Sequence, residues 1–424
     1  MYCKEIKNIA SYDVVVVGAG ASGICAAISA AQLGVSVAMV ERSASIGGGL
    51  TTGHVGPTMG KYSENTAADR INKLIGCDRR LAQDFELAKI RLTQLVSEYN
   101  IDVYLNAALA DAVTDGERIS SIIVATQSGL CGISGKVFVD ATGDGVLAYM
   151  CGEEYEMGRE DGLTQPVSIM FTVDGVSPDQ SIICRHEEMD TALRRGSYLE
   201  LCRQACEKGE LPESVNIVRL YPTSRPTERM VNATQLNRIN GLDSLEYFRA
   251  QSELRRQMIA VTEFLRNNVE GFENVRIKDS SDGVGVRETR RIKGKYLLTA
   301  EDLLASRRFA DVVVHDASFP IDIHNPSGAG QAESEGCPVQ VTGYDIPYRA
   351  LVPNKTKNLY LCGRCISGTH RAHASYRVMN IAMNVGEAVG VGAALCASAG
   401  VAAEELEVSE LQSVLTSRGI KLFE

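Results

Sequence analysis

The 424-residue chain lacks an excess of positive charge, an internal repeat and any low-complexity tract. Each absence narrows its function. Forty-three Lys and Arg against 53 Asp and Glu leave a net charge of −10, which argues against wholesale nucleic-acid binding. The twelve cysteines stand singly, so they read as reduced thiols rather than a disulfide framework. The opening Met1-Tyr2-Cys3-Lys4-Glu5-Ile6-Lys7 lacks the apolar core of a secretory signal, and no apolar stretch reads as long enough to cross a bilayer. A cytoplasmic protein with no membrane insertion is expected. Hydrophobic residues make up 45% and charged residues 23%, ordinary values for a globular chain. This length suggests two or three structural units with cores that need neither disulfides nor metals.

What is present begins at residue 14. Val14-Val15-Val16-Val17 is a continuous apolar run of the kind buried in a parallel sheet. Gly18-Ala19-Gly20-Ala21-Ser22-Gly23 follows. Gly18 suits a tight turn, Gly20 lets a pyrophosphate approach the backbone, and Gly23 lets the next helix pack closely on the strand. Amides at that helix start, with the helix dipole, favour phosphate. Residues 24–33 read as the helix, Gly34 as its C-cap, and 35–40 as a second strand. Glu41 stands at the end of that strand, where a carboxylate can accept from ribose hydroxyls and repel a 2′-phosphate. The order of elements predicts a dinucleotide site that can hold NAD or FAD.

Two later stretches bear on that choice. Phe138-Val139-Asp140-Ala141-Thr142-Gly143-Asp144-Gly145 is a strand ending in Ala-Thr-Gly-Asp, and Leu359-Tyr360-Leu361-Cys362-Gly363-Arg364-Cys365 is a strand ending in glycine. A helix of small residues follows over 380–399. Here the chain resembles the FAD-dependent oxidoreductases with a glutathione-reductase-like FAD domain. In that group the late helix directs its N-terminus at the flavin. Further stretches resemble one bacterial branch, related to fumarate reductase flavoproteins and heterodisulfide reductase A subunits: Gly158-Arg159-Glu160-Asp161-Gly162, Gly285-Val286-Arg287-Glu288-Thr289-Arg290-Arg291, Ile321-Asp322-Ile323-His324, Ile346-Pro347-Tyr348-Arg349 and Gly363-Arg364-Cys365-Ile366-Ser367. The resemblance covers nearly the whole chain.

It implies an α/β fold: a three-layer Rossmann-like FAD/NAD(P)-binding domain with a parallel sheet and an inserted α+β cap. The FAD domain is expected over 10–152 and 341–424, with the cap over 153–340. FAD is expected to be noncovalent, although His54 lies near its expected place. The motif and the resemblance together assign as cofactor contacts Gly18, Gly20, Ala21, Ser22, Gly23, Glu41, Arg42, Gly47, Gly48, Thr51, Leu109, Thr142, Gly143, Asp144, Gly363, Arg364, Arg377, Ile381 and Ala382. No second GxGxxG unit with its acidic residue appears, because Gly328-Ala329-Gly330 has no strand before it. Electrons are therefore expected to pass directly to a substrate or a protein partner.

A flavin enzyme needs a cation for an anionic or polar substrate and a group that moves protons. His370 and His373, two of only six histidines, lie just before the late helix and can serve as acid or base. They can equally hold that loop. Arg287 can bind a carboxylate bidentately or form a structural ion pair; the likeness to fumarate-reductase-type proteins makes it a candidate. His324 faces either a substrate or solvent. Cys362 and Cys365 invite a dithiol reading, against which stands a buried Cys362 and a loop Cys365. Cys202 and Cys206, one helical turn apart, are too few for an iron–sulfur cluster, and no cluster or metal site is expected. The expected function is hydride transfer between flavin N5 and a small organic substrate bound between the domains. The alternatives are an electron-transfer subunit with a redox protein partner, and a binding protein that retains the fold without redox work. Oligomeric state is not legible.

Overall fold

A computed structural model describes residues 6–78, 81–179, 182, 191–193, 196–329 and 338–423. The valine run forms the buried end of the strand Asn8–Val17. Parallel partners flank it: Val37–Val40, with Ile101–Tyr104 beyond, on one side, and Gly129–Asp140, with Leu359–Leu361 beyond, on the other. All five of these strands end level, Tyr104 pairing with Val40. Val17 pairs with both Val40 and Asp140, and Asp140 also pairs with Leu361. The loops that follow them therefore start from one plane, at the carboxyl ends where doubly wound sheets bind ligands.

The sheet is not wholly parallel. The early part of Gly129–Asp140 pairs antiparallel with Arg118–Thr126, which pairs with Ala108–Asp115. The first helix, Ala21–Ala31, ends earlier than expected; Gln32 is its C-cap and Gly34 lies in the turn beyond, at φ +81°. The late helix, Met379–Ala399, runs beside it. A Cβ on Gly386 or Gly390 would lie 2.2 Å from the carbonyl oxygen of Ser22 or Ala26, respectively. Only glycine allows this approach. Contrary to expectation, the late helix is long and apolar enough to cross a membrane, but its most apolar stretch is 83% buried inside the fold.

A second core lies behind an antiparallel sheet of Arg219–Pro222, Glu228–Asn232, Phe171–Asp174 and Arg276–Ser280. Side chains alternate across it. Phe171, Val173, Leu220 and Val231 pack with the helices Tyr198–Glu207 and Ser244–Asn268. Tyr221 and Met230 face the other way, against Ala82 and Phe85 of the first unit. The charged stretch 179–208 is helical from Tyr198, preceded by the strand pair Ala192–Leu193 and Gly196–Ser197; residues 180–181, 183–190 and 194–195 lie outside the described residues.

The chain runs toward this second core through Tyr155–Met157 and returns through Arg290–Ile292, and the two segments pair antiparallel. The Arg290 guanidinium lies over the Tyr149 ring, 4.1 Å from its centroid. After the return, Ile292, Leu298, Val312, Ile321, Tyr344 and Ile346 join the first core. The stretch 153–340 thus divides its buried side chains between two cores.

Gly390→Ala should lower unfolding stability by about 1–3 kcal/mol, because two helix backbones would have to separate. Urea denaturation measures this; an unchanged midpoint would contradict the close packing.

Candidate functional site

The glycine loop is built from backbone constraints. Gly18 has φ +101°, and a Cβ there would lie 2.4 Å from the Ala141 carbonyl oxygen. A Cβ on Gly23 would strike the Gly18 oxygen. Gly20 differs: a Cβ on it would meet nothing within 4 Å. It is the N-cap of the first helix, which has no side-chain cap and no acidic residue in its first turn. Ala21 and Ser22 start that helix, and a Cβ on Gly363, at φ +82°, would lie 2.6 Å from the Ser22 hydroxyl.

Neighbouring segments close around this loop. Glu41 accepts from the amides of Ala19 and Ser43, both at 2.8 Å, so it props the loop from below. Arg42 is exposed. Gly47 makes a bridge with Gly20, and a Cβ on Gly48 would approach the Gly20 backbone. Thr51 is fully buried and donates to the Ile46 carbonyl. Leu109 sits on the antiparallel meander opposite Val124. Asp140 is buried and accepts from the Thr142 amide and hydroxyl and from the Ala148 amide. A Cβ on Gly143 would meet the Arg364 guanidinium, which is paired with Asp144 at 3.1 Å. At the late helix, Ile381 and Ala382 are buried, and the Asn380 amide donates to Met59.

A second group of side chains lies between the two cores. Arg287, half-buried, donates to the Pro166 carbonyl at 2.7 Å. Arg377 donates to the Asp322 carbonyl and to Gln165. Asp322 pairs with Nε2 of His324 at 3.4 Å. Burial lowers the Arg287 pKa, and the nearby charges of Arg377 and Arg219 lower it further. Burial, then Arg287, presses His324 down to about 4. Arg219 and Tyr221 share a strand face, with Leu220 turned into the second core between them.

His370 and His373 stand on the short helix His370–Tyr376. Nδ1 of His370 lies 2.8 Å from Glu288, whose carboxylate also holds Arg291 and accepts from the Gln165 amide. His373 is buried, and its pKa falls well below the usual value through burial, then Arg291 and Arg377. The sequence brought neither Glu288 into contact with His370 nor Asp322, Gln165, Arg219 and Tyr221 into the site. The Arg-Leu-Tyr alternation at 219–221 was a signal for the last pair. His54, in left-handed backbone, packs on Phe85 and lies 3.5 Å from Asp279. Cys362 and Cys365 are both fully buried, so Cys365 is no loop thiol. Burial raises both pKa values, that of Cys362 to about 12, which keeps them protonated and unreactive.

The family model for FAD dependent oxidoreductases matches residues 13–415. The chain belongs to this family.

Among curated proteins, thiamine thiazole synthase of Pyrococcus horikoshii is 28% identical over 161 residues, covering 34% of this chain and 62% of that one. The match spans less than two thirds of that relative's length. Among solved structures, a geranylgeranyl bacteriochlorophyll reductase-like protein from Thermoplasma acidophilum aligns with a TM-score of 0.49 at 11% identity, covering 96% of this chain and 84% of that one. The flavin-dependent brominase Bmp2 also gives 0.49, at 12% identity, with 96% and 83% covered.

This oxidoreductase depends on FAD, and its residues fit that group. The space over Gly20 adjoins an uncapped helix N-terminus, as a pyrophosphate requires. Buried polar atoms without a partner among the described residues gather around the segment before the late helix: Nε2 of His370, Nδ1 of His373, Nε of Arg377 and Nε2 of Gln165. Such atoms are costly to leave unpaired.

The depressed histidines carry a pH consequence. A folded pKa below the unfolded value means that the unfolded chain binds the proton more readily. Stability should therefore be flat above about pH 6.5 and fall toward pH 4, by on the order of 3 kcal/mol for His324 alone. His324→Gln should flatten that fall. Urea midpoints across pH 4–8 test this, and equal slopes for both proteins would refute it.

Proposed function

We propose that this enzyme transfers a hydride between flavin N5 and a small organic anion bound between the two cores. The observation that carries the proposal is the charge surplus at Arg287. Its guanidinium is half-buried, yet its hydrogen-bond acceptor there is the neutral Pro166 carbonyl. Arg377 adds a second buried cation, and among the described residues the carboxylate that pairs with it is Asp322. Glu288, which also acts on Arg377, is already taken by Arg291. Cations so far out of water favour an anionic partner with bidentate geometry.

FAD, when bound, supplies the two-electron chemistry at N5. The chain does the rest. The amides from Gly18 to Gly23 and the first helix dipole hold the pyrophosphate. Glu41, whose carboxylate oxygens each keep a second lone pair beyond their backbone bonds, accepts from the adenosine ribose. Gly47, Gly48, Thr142 to Asp144, Gly363 and Arg364 line the remaining length. The start of the late helix places its positive end at the ring. The sheet face bearing Arg219 and Tyr221 roofs the substrate and excludes water, while Arg287 and Arg377 orient it.

Gly20→Val should leave the fold of the apoprotein intact and abolish FAD retention, because the new side chain enters open space. Gly18→Ala should instead destabilise the apoprotein, because it strikes the Ala141 backbone. Apoprotein melting together with FAD absorbance after gel filtration separates these outcomes; retention of FAD by Gly20→Val would remove the cradle assignment.

Anaerobic spectroscopy tests the substrate reading. Organic anions, both oxidisable hydroxy and amino acids and reducible enoates, should bleach or restore the FAD absorbance. Arg287→Ala should raise KM for the responsive anion by about tenfold to a hundredfold, the worth of a charge-assisted hydrogen bond. Exchange with dyes or protein carriers alone would support the electron-transfer reading instead.

A further inference from the structure

We infer that Glu288 is a positioning residue that fixes the tautomer of His370, making Nε2 of His370 the atom that exchanges a proton with the substrate. This rests on the proposed reading that a small organic molecule reacts at the FAD.

Glu288 is buried to 1% exposure, so its charge requires partners. It has three. Arg291 binds one oxygen, the Gln165 amide donates to the other at 3.1 Å, and His370 Nδ1 lies 2.8 Å from the oxygen that Arg291 holds. Arg291 is itself anchored, donating to the carbonyls of Gly368 at 3.0 Å and Gly158 at 2.9 Å. A carboxylate that pairs with an arginine and takes a backbone amide hydrogen offers acceptors only. The proton between it and the imidazole therefore belongs to Nδ1. In a neutral ring that leaves the lone pair on Nε2.

That atom is buried, and no group among the described residues bonds it. One helical turn on, Nδ1 of His373 is buried and unbonded as well. Through Gln165 the same network reaches Arg377, whose guanidinium donates to the Gln165 side chain. The arrangement joins a fixed proton acceptor to the cations that orient an anion. In the oxidative direction, the substrate O–H or N–H bond breaks and its proton goes to Nε2 of His370. The adjacent C–H bond breaks, its hydrogen leaves with the electron pair to FAD, and a C=O or C=N bond forms. In the reductive direction the same proton returns from Nε2.

The test uses the FAD-loaded full chain labelled with 15N-histidine. Long-range 15N–1H spectra should show His370 protonated at Nδ1 and bare at Nε2, the signal being assigned by its loss in His370→Gln. Glu288→Gln, whose amide no longer demands a proton on Nδ1, should release His370 to a mixture containing the Nε2–H form. A merely structural Glu288 would not change the tautomer. With an anion that reduces the FAD, His370→Gln should slow reduction at saturating substrate by about 10²–10⁴-fold. A wild-type His370 protonated at Nε2, a Glu288→Gln tautomer identical to wild type, or an unslowed His370→Gln would each overturn the inference. Should Glu288→Gln fail to fold, the wild-type tautomer and the His370→Gln rate decide. The tautomer measurement needs no substrate. Failure of every organic anion to exchange electrons would therefore strike the substrate reading, while the spectra judge Glu288 separately.

Discussion

A carboxylate withdrawn from water must be paired, and the site is arranged around one such group. Glu288 lies where the chain returns from the second core. Its partners come from residues 165, 291 and 370, which are far apart in sequence. Adjacent residues make further ties: Val286 accepts from Arg364, Arg287 donates to Pro166, and Thr289 donates to Asp144. One short segment thus binds the late strand, the Ala-Thr-Gly-Asp turn and the start of the second core. Removing its central charge would leave the buried Arg291 only the longer contact to the exposed Glu156 carboxylate at 3.7 Å, a costlier state than either the full pair or an apolar substitute.

Around this hub, rigidity comes from backbone meeting backbone. Five strands finish at one level, and two helices cross so closely that Gly386 and Gly390 tolerate no side chain. Loops rising from such a base keep their relative positions without many side-chain bonds. Near the late helix, several buried polar atoms are left without a partner among the described residues.

Legibility in the sequence followed the range of the interaction. The glycine loop was readable because Gly18, Gly20 and Gly23 answer to constraints within a few residues. The strands before the Ala-Thr-Gly-Asp turn and before Gly363 were readable for the same reason, although they stop at Asp140 and Leu361, short of the expected ends. The meander went unread because Ala108–Asp115 is mostly exposed and has little apolar alternation. Gly386 and Gly390 were visible as small residues, but their meaning depends on Ser22 and Ala26, more than 360 positions earlier. His370 and Arg287 could be picked out by residue type. Their partners could not, since pairs such as His370 with Glu288 arise only from tertiary folding. Cys365 and the late helix were misjudged alike: local composition says nothing of what surrounds a residue.

The paired segments Tyr155–Met157 and Arg290–Ile292 place the departure and the return of the chain side by side. A host whose cut ends already touch loses little closure entropy when the excursion between them is lengthened, shortened or exchanged. The excursion can therefore change in length while the paired segments at its base keep their register. A change within the excursion would thus alter the second core while leaving the glycine loop and the level strand ends of the first sheet in place.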